Sequence, residues 1–197
     1  MLKRFAPILT LTALCWVVYL ADRLLCHGHL SQHGITPRHL AGLPAILWAP
    51  LLHSSLRHLA ANTLPLLFLG GILCARSQAQ FALVAAAGTL LGGTLTWLLA
   101  RNASHIGASG LVFCLFGYLA SLALFNRTLG TLVLSVVCLL AYGGILRGVL
   151  PTAAPISWES HAAGLAAGLA LAWVTAKVKK TSQAPGPRLP AANPPGP

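Results

Sequence analysis

HIGASGLVFCLFGYLASLALF, the stretch from His105 to Phe125, decides how this chain folds. Ser109 stands between Ala108 and Gly110 at the head of an apolar run that closes at Arg127. A serine flanked by small residues therefore opens a helix that belongs in lipid. A second isolated polar residue, His161, opens the last apolar segment. Polar groups inside a bilayer are expensive, so an intramembrane serine and histidine read as a functional site.

The rest of the chain supports a membrane setting. Apolar residues make up 56% of it and charged residues 8%, against roughly 25% charged in a soluble domain. Asp22 and Glu159 are its only acids, so the net charge of +11 reflects missing carboxylates. Its bases punctuate apolar runs instead of clustering on one surface, which argues against nucleic-acid binding. The five cysteines (Cys15, Cys26, Cys74, Cys114 and Cys138) show no CxxC spacing. Neither a disulfide framework nor a zinc site is expected from them.

A spanning helix needs about 20 mainly apolar residues. Six such runs occur, near Phe5–Leu25, Leu56–Ala75, Phe81–Ala100, Ser109–Phe125, Leu129–Val149 and His161–Lys177. The first follows Lys3 and Arg4 like a signal peptide, but its length and the lack of a small-x-small site mark it as a retained helix. The longest loop, Cys26–His53, carries an apolar stretch bracketed by Pro44 and Pro50, too short to span and expected in the interface. Residues 1–180 read as one all-α membrane domain, and Thr181–Pro197 as a Pro-rich, disordered cytoplasmic tail. With the N-terminus inside, eight Lys and Arg fall on the cytoplasmic ends and five on the outer ends. That split favours cytoplasmic termini; the membrane is expected to be a bacterial-type inner membrane. No internal repeat is evident, which disfavours a transporter of inverted halves.

Helix geometry then places the polar residues in depth. Climbing at about 1.5 Å per residue from the cytoplasmic base of each helix puts Ser109 roughly 27 Å up, His161 about 24 Å, His58 about 27 Å and Asn62 about 21 Å. In a layer about 30 Å thick, all four share one shallow outer stratum. His58 and Asn62 are four apart and project from one helix face. His161, Gly164 and Gly168 form a stripe that lets a neighbouring backbone come close. Gly110 and Gly117 offer smooth surface on the serine helix.

Each residue alone has a plain structural explanation, since serines, asparagines and histidines also serve helix packing and interhelical hydrogen bonds. Their shared depth argues for one site. A serine needs a base to become a nucleophile. Ser109 is the candidate nucleophile and His161 the candidate base. Glu159 is expected in the loop before His161, badly placed to orient it, so a dyad is expected with Phe113 stacking on the ring. Asn62, His58 and the backbone N–H of Ser109 are candidate oxyanion donors, and Gly107 and Gly110 remove Cβ atoms from the approach. His53 is expected to brace the start of the second span, and His105 to line a water-filled mouth. His27, His29, His33 and His39 fit no metal-ligand spacing. No HExxH motif occurs, and one aspartate cannot make a paired-aspartate protease.

Together, His58-x-x-x-Asn62, Gly107-Ala108-Ser109-Gly110 and His161-x-x-Gly164-x-x-x-Gly168 resemble the rhomboid intramembrane serine proteases. The resemblance covers roughly Phe5 to Val178. It implies a six-helix bundle with an active site open to the extracytoplasmic side, and transmembrane proteins as substrates. It implies Ser109 as nucleophile, His161 as base, and neither metal nor cofactor. Two departures stand out: Phe113 replaces a tyrosine found in many members, and the first loop lacks the family's Trp-Arg pair. The rival readings are a catalytically silent relative that binds membrane clients, and a small transporter. The sequence sets no oligomeric state.

Overall fold

A computed structural model describes residues 2–152 and 156–182. Among them, helices dominate and no strand occurs; Ile35 and His105 form an isolated bridge. The helices are α1 (Ala6–Leu24), α2 (Ala45–Trp48), α3 (Leu56–Arg76), α4 (Gln78–Leu99), α5 (Ser109–Asn126), α6 (Leu129–Tyr142) and α7 (Trp158–Ser182). Six segments are long and apolar enough to cross a membrane, the fifth combining α6 with a 3-10 segment that ends at Val149. The protein is a multi-pass membrane protein.

Local chemistry sets the helix ends. Pro7 occupies the first turn of α1, where a missing N–H is harmless. Ser55 accepts from the His58 N–H and caps α3. Ser77 alone separates α3 from α4, ending one and capping the other. Arg127 closes α5 in the left-handed conformation, and Thr128 with Thr131 forms a capping box on α6.

α5 is the central element. Its span is 67% buried, whereas the other five range from 17% to 39%. Phe116, Tyr118, Leu115 and Leu119 fill the middle of the core. Glycines set its distance from α7. A methyl group on Gly164 would strike the Gly110 carbonyl oxygen, and one on Gly168 the Cys114 carbonyl. The seam therefore packs backbone on backbone, as small-residue stripes in membranes allow.

The long first loop is sewn to the end of the bundle that holds Ser109. Arg38 donates to the carbonyls of Ala100 (2.8 Å) and Leu98 (3.3 Å), satisfying orphan groups at the C-terminus of α4. Trp97 Nε1 donates to His39 O, and Trp48 Nε1 to His33 O. Ile35, Ala45, Ile46 and Ala49 form a small apolar cluster against Trp97. The Gly107 N–H donates to Ala49 O at 2.9 Å, tying this loop to the residues that lead into α5.

α7 starts earlier than the sequence pattern implies. Glu159 lies in its first turn, not in a preceding loop. An acid there is favoured by the helix dipole. At the other end α7 runs through Ser182, so Thr181 and Ser182 are helical. The remainder of the expected tail, 183–197, lies outside the described residues.

Candidate active site

Three helix N-termini converge at one end of the bundle. α5 presents Ser109 as its first residue, α7 presents His161 in its first turn, and α3 presents His58 and Asn62. The glycine-to-glycine packing of α5 and α7 brings Ser109 Oγ to 2.9 Å from His161 Nε2. On the opposite edge of the ring, His161 Nδ1 lies 2.8 Å from Gly148 O. A carbonyl only accepts, so the proton sits on Nδ1, and Nε2 keeps its lone pair for the serine hydroxyl. Gly148 belongs to the 3-10 segment after α6. Its missing Cβ matters, because a methyl there would lie 2.9 Å from Phe113 Cζ and 3.0 Å from His161 Nδ1.

Phe113 stacks on His161, with ring centroids 4.4 Å apart and planes 9° from parallel. The stack fixes the ring plane and the Gly148 carbonyl fixes its rotation. Glu159 does neither. Its carboxylate pairs with Arg101 Nε at 3.4 Å.

The second wall faces the serine from α3. Asn62 is buried, and its Nδ2 has no hydrogen-bond partner among the described residues. An orphaned buried donor is costly and marks a site that awaits an acceptor. Gly107 sits at φ +111°, a conformation that L side chains avoid. A Cβ there would crowd His58 Cε1 and Nε2 at 2.6 Å and approach Asn62 Nδ2 at 3.7 Å. Gly107 therefore keeps open the space between α3 and the serine. The Ser54 hydroxyl lies 3.4 Å from His58 Nδ1, and the His58 Nε2 edge faces Gly107. No side chain caps the N-terminus of α5, so the Ser109 N–H is among its orphan donors.

His53 belongs to this wall as well. Ser55, not His53, caps α3. His53 is fully buried; its Nδ1–H donates to Leu51 O at 3.1 Å and its Nε2 accepts from the Ala108 N–H at 3.4 Å. Its ring meets His58 edge-on at 5.0 Å. It thus anchors the residue immediately before Ser109. Residues 52–55 are not helical, so helical spacing from His58 does not fix where His53 lies.

Burial lowers the His53 pKa to about 4; His58 lowers it further and the Leu51 carbonyl opposes the shift. The unfolded chain takes up this proton as pH falls through about 6.5, whereas the folded site refuses it until about 4. Stability is therefore lost as pH falls across that window. The melting temperature in detergent should drop between pH 7 and pH 4.5, less steeply for His53→Gln. Equal slopes would contradict this account.

His105 is buried between Ser157 Oγ and the Arg101 carbonyl, bracing two loops. The loop histidines do not assemble. Among the described residues, no three His, Cys, Asp or Glu side chains group as a metal site. All five cysteines are free.

The fold and the site define a class: a six-span helical membrane protein with a serine–histidine pair near one end of its spans. Residues 42–178 match the family model of the Rhomboid domain. The chain is 37% identical over 186 residues to an uncharacterized protein of Mycobacterium tuberculosis, covering 90% of this chain and 77% of that one. An uncharacterized protein of Mycobacterium leprae is 36% identical over 186 residues, covering 90% and 73%. The chain belongs to the rhomboid family.

Proposed function

We propose that this protein is an intramembrane serine endopeptidase that cleaves transmembrane proteins near the outer face of the cell membrane. The carrying observation is the 2.9 Å approach of Ser109 Oγ to His161 Nε2. In this reading His161 takes the serine proton while Oγ attacks the scissile carbonyl carbon. The negative oxygen that forms meets Asn62 Nδ2–H, His58 Nε2–H and the Ser109 N–H. His161 then gives its proton to the leaving amine. Water, activated in turn by His161, hydrolyses the acyl-serine and restores Ser109. No metal or cofactor enters this sequence. The charge asymmetry of the loops supports cytoplasmic termini and a site facing outward.

Purified protein in detergent, mixed with a single-span substrate, should release two fragments, and a fluorophosphonate should label Ser109. An intact substrate together with no labelling would favour a silent client-binding relative. Removing an oxyanion donor has a distinct signature. Asn62→Ala should lower kcat by roughly 10²- to 10³-fold with KM nearly unchanged. A change confined to KM would remove Asn62 from the oxyanion wall.

A further inference from the structure

Above the serine and histidine opens a vestibule of about 800 Å³. Its walls include two arginines, Arg57 and Arg101, the hydroxyls of Ser31, Ser54 and Ser55, and no carboxylate. Arg101 is occupied: it pairs with Glu159 and donates to Ile156 O at 2.6 Å and Thr152 O at 3.2 Å. Arg57 is exposed, and its side chain makes no hydrogen bond or ion pair among the described residues.

Its position also runs against local electrostatics. Arg57 stands in the first turn of α3, where no acid is present and where the helix dipole disfavours a cation. The chain has only two acids to offer it. Glu159 is held by Arg101, and Asp22 accepts from the Leu30 N–H at 2.8 Å. A cation with no internal counter-ion, on the wall of a cavity lacking carboxylates, is complementary to an anion supplied from outside. It lines the same space as Ser109 and His161, so the occupant of that space is the segment to be cleaved.

We propose that Arg57 selects substrates bearing a carboxylate side chain within about two residues of the scissile bond. This rests on the protease reading above. The distance follows from chain geometry. Arg57 lines the same vestibule as Ser109 and His161, and an extended substrate advances only about 3.3 Å per residue, so the residues beside the scissile bond pass along this wall. Arg57 is a specificity determinant and not part of the proton-transfer machinery.

The test is a panel of single-span substrates carrying Asp, Ala or Lys at each of the two positions on either side of the bond. At low ionic strength the wild-type kcat/KM should favour Asp over Ala by roughly fivefold at one of these positions, and over Lys by more. Added salt should shrink the preference. Arg57→Ala should remove it while cleaving the Ala substrate at the wild-type rate, and Arg57→Glu should turn it toward Lys. Cleavage indifferent to charge, or a preference that survives Arg57→Ala, overturns the inference and leaves the protease reading standing. An equal slowing of every substrate in Arg57→Ala assigns the arginine to a lipid headgroup or to the fold, and also overturns it. No cleavage of any member, with no fluorophosphonate label on Ser109, overturns both.

Discussion

The double variant Ser109→Ala/His161→Ala should cleave a model substrate no more slowly than either single variant, each falling by roughly 10⁴-fold or more. Ser109 Oγ and His161 Nε2 share one proton path across 2.9 Å. With either partner gone the path is gone, so a second deletion removes nothing further. Independent contributions would multiply instead, which makes the double variant the informative one. Fluorophosphonate labelling separates the two roles. Ser109→Ala removes the labelled atom, whereas His161→Ala keeps it and loses its reactivity. If the double variant were slower than the singles by the product of their losses, the two residues would be acting separately and the dyad would be wrong.

Gly164→Ala is expected to be nearly as damaging, although it touches neither reacting group. Its added methyl falls on the Gly110 carbonyl oxygen, which belongs to α5 backbone and cannot rotate away. On the other side of α7, a Cβ on Gly92 would already lie 3.4 Å from Gly164 Cα. A carbon needs about 3.3–3.6 Å from a carbonyl oxygen, so α7 must shift from α5 by on the order of 1 Å. A misplacement of that size costs roughly 10²-fold in rate, and such overpacking destabilises by about 1–3 kcal/mol. Gly164→Val should abolish cleavage. Gly71→Ala is the control, because a methyl there meets nothing within 4 Å. Rates and melting temperatures in detergent should separate the two glycines. A wild-type rate for Gly164→Ala would mean that the helix seam does not set the Ser109–His161 distance.

The features legible in the sequence are those with a period or a length. Apolar runs located the six spans within a few residues, because a bilayer demands about 20 apolar residues of any helix. The i, i+4 spacing of His58 and Asn62 put them on one face, and both border Gly107 as that spacing implies. The glycine stripe of α7 faces α5 for the same reason.

What escaped has equally physical causes. His53 lies beyond the N-cap of α3, where helical spacing has no meaning, and its partner Ala108 is 55 residues away. The apolar pattern begins only at His161 and so places Glu159 in a loop. Helix α7 nonetheless opens at Trp158, with the carboxylate drawn to Arg101. The Gly148 carbonyl was invisible, since main-chain acceptors carry no residue signature. The unpaired state of Arg57 required knowing where both acids are spent.

Soluble serine hydrolases orient the histidine with a buried carboxylate, an ion that would have to be carried into lipid at a cost of several kcal/mol. Here the orienting group is the dipole of a peptide bond, 2.8 Å from Nδ1. The group that orients His161 carries no formal charge, so the only carboxylate in the first turn of α7, Glu159, is left to pair with Arg101.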